Sequence, residues 1–131
     1  MSTRPNTAIF KSIADRDCFN LFDGPHPKAK EVLKILNYDR KDLSVVTGKP
    51  EKSIRLDQRM SEEIETRIRE WANVINLVGG YFGDINKTML WFQTPNPLLG
   101  NITPAQMIKV GQFNKLLSFI QVALSENRKS A

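Results

Sequence analysis

Residues 61–80 constrain this chain more than any other segment. Ser61 is followed by Glu62 and Glu63, then by apolar residues at Ile64, Ile68, Trp71, Ala72, Ile75 and Val78 before Gly79-Gly80. Steps of three and four gather these six on one face of an α-helix, whereas a strand would scatter them over both faces. Ser61 is a suitable N-cap, and the two glutamates stand at the positive end of the helix dipole. A helix ending at Gly79-Gly80 or shortly after spans about 30 Å at 1.5 Å per residue. It is the expected spine of the fold. Trp71, at that spacing, is expected in the core rather than as a platform for a ligand.

The remaining segments read as shorter helices around the spine. Residues 1–6 are expected to be disordered, Thr7–Asp15 could form a short helix burying Ile9 and Ile13, and the DGPHP run at 23–27 is a break. From Pro27, an N1-type proline, Ala29, Val32, Leu33 and Leu36 recur at helical spacing until Asn37. A helix over Arg40–Thr47 ends at Gly48, and Lys49-Pro50 can open another running to about Arg59. Asp84 caps a helix carrying Ile85, Met89 and Leu90. Thr94-Pro95-Asn96-Pro97 must turn or extend, because each proline drives its predecessor out of α space. Thr103-Pro104-Ala105-Gln106 has the layout of a capping box, with a hydroxyl N-cap, proline at N1 and glutamine at N3. After Gly111 a last helix buries Phe113, Leu116, Leu117, Ile120 and Leu124. The tail from Glu126 to Ala131 is too polar to be held by that core. No strand or internal repeat is expected. The fold class is all-α, a helical bundle with an arm over 1–27, a helix-turn-helix module over 28–83 and a smaller helical module over 84–131.

Composition narrows the function. No apolar run is long enough to span a membrane, and the N-terminus lacks a signal-peptide core, so the expected location is the cytoplasm. One cysteine, Cys18, rules out an internal disulfide framework and a multi-cysteine metal site. His26 is the single histidine, and nothing near it would orient it as a base for Cys18. Cys18 is expected to be a small buried hydrophobe and His26 a loop residue before Pro27. There is no Walker-type loop and no GxGxxG pattern, and Glu62-Glu63 and Glu70 read as a solvated helix face. No enzyme, metal or cofactor is expected. The net charge is +5, and residues 28–59 hold nine basic against five acidic side chains. Residues 85–125 carry only Lys87, Lys109 and Lys115, with no acid. A basic segment suits a polyanion; a charge-poor one suits a protein contact.

Two motifs refine this. Leu43 to Arg55 has the pattern of a helix-turn-helix, with small Ser44 in the first helix, Gly48 at the turn and Ile54 to seal the pair. Lys49, Lys52, Ser53, Arg55 and Arg59 would then face DNA. Lys49 stands where an apolar residue is usual, and Asp57 puts a negative charge near the groove. The other reading is a helical hairpin with a solvated charged face.

The second motif is Phe82-Gly83-Asp84, then Leu90-Trp91-Phe92-x-Thr94-Pro95-Asn96-Pro97-x-Leu99-Gly100-x-x-Thr103-Pro104, then Met107-Ile108 and Gly111. Trp91 and Phe92 point about 100° apart on one helix, so one of them is expected to face a partner unless the helix is deeply embedded. This stretch resembles the toxin-binding region of the Xre/MbcA/ParS antitoxins, roughly W-L-x-x-P-N-x-x-L-G-G-x-x-P. The module at 28–80 is similar in kind to the Xre-like part that precedes it there. Phe92 stands for the usual leucine and Asn101 for the second glycine, a position asparagine tolerates in left-handed geometry.

The resemblance implies the antitoxin of a type II toxin–antitoxin pair. Its partner would be a NAD-consuming RES-domain toxin whose NAD cleft is blocked sterically by the antitoxin's C-terminal end. It assigns toxin contact to Trp91, Phe92, Pro95, Asn96, Leu99, Gly100 and Met107, and to Arg128, Lys129 and Ala131 in the tail. It is also compatible with a homodimer and with operator DNA bound by the N-terminal module. The alternative is a stand-alone helix-turn-helix regulator whose C-terminal half dimerises.

Overall fold

A computed structural model of the chain describes residues 17–130, with side chains as far as Asn127. The expected helix over Thr7–Asp15 lies outside the described residues, as does Ala131.

Six α-helices are present among the described residues: α1 (Ala29–Leu36), α2 (Arg40–Thr47), α3 (Glu62–Phe82), α4 (Ile85–Gln93), α5 (Pro104–Lys109) and α6 (Phe113–Ser130). The chain folds as an all-α bundle around α3. Ser61 accepts a hydrogen bond from the Ile64 N–H, and the helix runs past Gly79-Gly80 to Gly83. Every residue from Trp71 to Gly79 is buried, so this half of α3 is enclosed on all sides. It packs against α1, α4 and α6, and a single core runs from Ile35 and Trp71 to Phe92, Ile108 and Leu116.

The N-terminal side departs from expectation in three ways. Phe22–Asp23 (β1) and His26–Pro27 (β2) form a short antiparallel hairpin where no strand was expected. Pro27 therefore ends a strand, and Lys28 occupies the N-cap of α1. Cys18 is exposed rather than buried. Its backbone N–H donates to Asn76 Oδ1 at 3.1 Å, and Asn76 Nδ2 donates to Asp17 Oδ1 at 3.3 Å. Asp17 also accepts from the N–H groups of Leu21 and Phe22, both at 2.8 Å. A fully buried asparagine thus ties the entering chain to the spine, satisfying polar groups that burial would otherwise penalise. Close approach here depends on Gly79, because a Cβ at that position would run into the Phe19 ring. His26 belongs to β2, and its Nδ1 lies 2.6 Å from Glu65 Oε2, joining the hairpin to α3.

The carboxylates of α3 are not uniformly solvated either. Glu63 pairs with Lys49 at 3.0 Å, while Glu70 is half-buried, and burial pushes its carboxyl above the ordinary range against the opposing pull of Arg67. A raised pKa in the folded state adds stability that is full below the unfolded pKa. That stability is lost as pH rises through the folded value. Glu70→Gln is accordingly expected to melt higher than the parent at neutral pH. The advantage should disappear below the ordinary carboxylate range, as read by thermal unfolding across pH. An equal shift at every pH would show that Glu70 acts through packing alone.

Candidate functional site

The helix-turn-helix does not close as the sequence suggested. Its first helix, α2, ends at Gly48 as expected, with Asp39 and Asp42 forming a capping box at its start. In place of a second helix there is one 3-10 turn, Glu51–Ser53, followed by extended chain at Ile54. Asp57 then accepts the Arg59 N–H at 2.9 Å through its side chain, while its carbonyl accepts the Met60 N–H at 2.9 Å. These local bonds hold the segment in turns that compete with a helix. Lys52, Ser53, Arg55 and Arg59 are exposed on this turn and the chain after it, whereas Lys49 is half-buried and ion-paired to Glu63.

The second motif forms the local structures its residues prescribe. Asp84 caps α4 by accepting the Lys87 N–H at 2.9 Å. Asn96 caps a 3-10 turn over Pro97–Leu99 by accepting the Leu98 N–H at 2.9 Å, and its own N–H donates to the Ile102 carbonyl at 3.0 Å. Gly100 and Asn101 reverse the chain at φ 84° and 66°, so the asparagine does adopt the left-handed geometry. Thr103 and Gln106 complete the capping box of α5.

This corner is fastened to the N-terminal helices. Gln93 Nε2 donates to the Ile35 carbonyl at 2.9 Å, and the Tyr38 hydroxyl donates to the Ala105 carbonyl. Burial pushes the Tyr38 phenol up, with Asp42 adding to the effect, so it remains a proton donor. Lys109 lies 2.9 Å from Asp42. Burial alone would raise the Asp42 carboxyl, but the Lys109 and Asp39 hydrogen bonds outweigh it and hold the carboxyl below the usual range.

Trp91 and Phe92 separate as their directions require. Phe92 is 0% exposed and belongs to the core, while Trp91 is half-buried, its ring 5.1 Å from that of Phe92 at an interplanar angle of 87°. Trp91 lines a hollow of about 270 Å³ between the end of α3, α4 and α6, together with Tyr81, Leu98 and Phe119. Leu98 is 78% exposed and Tyr81 54%.

Of the residues the resemblance assigned, the hollow gathers Trp91 and Asn96. Phe92 and Met107, 4% exposed, are corrected to core residues: they support the corner and present no surface to a partner. Leu99 packs partly against the core, Gly100 serves the turn, and Pro95 faces a different depression beside Tyr38 and Lys109. Arg128 and Lys129 fall in the final stretch of α6, beyond the described side chains. The backbone of α6 continues to Ser130, past the last apolar position, with the Glu126 and Asn127 side chains exposed. Leu98 and Tyr81 were missed. A clue was available for Leu98, since two leucines follow one another in a single tight turn and cannot both point inward.

No family model and no curated protein matches the sequence. Among solved structures, a chain of the M. tuberculosis MbcT-MbcA toxin-antitoxin complex is similar over 72% of this chain and 87% of that one, at 16% identity and a TM-score of 0.44. No helix among the described residues is long and apolar enough to cross a membrane.

Proposed function

We propose that this chain is the antitoxin of a type II toxin–antitoxin pair. It holds a RES-domain toxin through the Trp91 corner and blocks the NAD cleft sterically, with the C-terminal end of α6 nearest that cleft. The observation that carries this reading is local. The segment resembling the toxin-binding region folds into a capped corner that sets half-buried Trp91 beside exposed Leu98 and Tyr81 around one hollow. Aromatic anchors beside a pocket are what a tight interface is built from. The test is co-expression with a RES-domain protein encoded by the adjacent reading frame. A stable complex on gel filtration supports the reading, and two separately eluting proteins contradict it.

Autoregulation belongs to the same proposal in a reduced form. Without a second helix, Lys52, Arg55 and Arg59 are suited to phosphates rather than base edges, so contact with the operator is expected to be electrostatic. Removing any one of these charges should then lower the log–log salt slope of DNA binding by roughly 0.9. An electrophoretic shift on the upstream promoter, with and without toxin, measures this. No shift in either case would leave the 28–59 segment a structural unit.

A further inference from the structure

The turn that carries Leu98 is shaped from within and held from outside. Within it, the Asn96 N–H donates to the Ile102 carbonyl at 3.0 Å, and the Asn96 carbonyl accepts the N–H groups of Leu99 and Asn101, both at 2.9 Å. These bonds close inside residues 96–102, so they set the shape of the turn and not its direction. Leu99 and Ile102 give it partial packing against the core. The remaining hold comes from its two ends. At the entry, Gln93, the last residue of α4, donates to the Ile35 carbonyl at 2.9 Å. At the exit, the Ala105 carbonyl in the first turn of α5 accepts the Tyr38 hydroxyl. Both ends are thus bonded to one short stretch of chain, residues 35–38.

That stretch is itself well fixed. Carbonyls in the last turn of a helix have no intrahelical donor. In α1 those of Leu33 and Lys34 accept the N–H groups of Tyr38 and Asn37, and that of Ile35 is left for Gln93. Tyr38 is 8% exposed, and its ring stands edge-on to Trp71 at 5.5 Å, which fixes the line of its hydroxyl. We infer that residues 35–38 brace the 94–104 corner, which makes Tyr38 and Gln93 positioning residues for the partner contact although neither lines the hollow. The inference rests on the antitoxin reading for the partner, whereas the brace itself can be measured without one. An exposed turn with few buried side chains is a place where a fold opens locally. Each opening would carry Asn96 and Leu98 away from Trp91. A turn already held in its bound direction loses less freedom on association, so the brace raises affinity without touching the partner.

Native-state hydrogen exchange on the full chain compares the amides of Asn96, Leu99 and Asn101 with those of Trp71–Gly79. The samples are the parent, Tyr38→Phe/Gln93→Leu, and Ile68→Val, a change at a fully buried position of α3. Losing both bonds should speed exchange at the three corner amides by about tenfold or more, with α3 changed far less. Ile68→Val should do the reverse, because it loosens the spine and leaves both bonds in place. Affinity for the adjacent-frame RES-domain protein should fall about tenfold in the double variant and stay parental in Ile68→Val. Corner amides that exchange at the parental rate, or that accelerate only as much as α3, overturn the brace. Faster corner exchange with parental affinity overturns the positioning role. If the parent itself forms no complex, the antitoxin reading fails, and the exchange rates alone decide the brace.

Discussion

Trp91→Ala is expected to remain folded and to lose affinity for the proposed toxin partner by at least about thirtyfold, since truncating a buried aromatic anchor costs about 2 kcal/mol or more. The ring is half-buried and sits edge-on against Phe92, so some stability should go with it. Folding and binding must therefore be measured together, by thermal unfolding and by titration calorimetry on the same samples. Leu98→Asp separates them further. Its side chain is 78% exposed, so the fold loses almost nothing, while an acid is placed in the middle of an apolar contact. Both variants, folded, should bind poorly. If both bind like the parent, the Trp91 corner is not the interface.

Phe92→Ala, one residue along the same helix, is expected to do the opposite. Phe92 is fully buried in the core, and removing its ring leaves a cavity that the surrounding structure only partly fills. Losses of about 3–5 kcal/mol are usual for such a change. A domain is stable by only about 5–15 kcal/mol in total, so much of the margin goes. Urea unfolding followed at Trp71 and Trp91 measures the loss. Any molecules that stay folded should still bind, because Phe92 contributes no surface. Phe92→Leu keeps most of the apolar volume and should be milder. A folded Phe92→Ala protein of parental stability would contradict the assignment of this residue to the core.

The contrast between these neighbours shows where sequence reasoning reached and where it stopped. Helix starts were legible because caps are local: Ser61, Asp84 and Thr103 each bond the backbone three residues on, whatever surrounds them. The stripe of α3 was legible for a similar reason, since its period survives even though Asn73, Val74 and Asn76 on other faces are also buried. The hairpin at 22–27 was not, because two-residue strands are too short to show alternation. The missing second helix had a trace in the sequence. Ile54 and Leu56 are two residues apart, an extended spacing, and Asp57 is well placed to turn the chain. The role of Lys49-Pro50 as a helix opening was overridden by those neighbours. Within the candidate site, residue type pointed to the corner, but choosing between Trp91 and Phe92, or Leu98 and Leu99, required knowing the direction of the core.

The proposed antitoxin role requires that binding at this corner silence an enzyme, and NAD consumption is its readout. A fixed amount of the RES-domain protein is titrated with this chain, and residual NAD turnover is followed alongside the fraction of toxin bound. Turnover should fall in proportion to occupancy and reach the blank when every RES-domain molecule is bound, with the Trp91→Ala curve displaced to higher concentration. Saturated toxin that still consumes NAD at its free rate would contradict it.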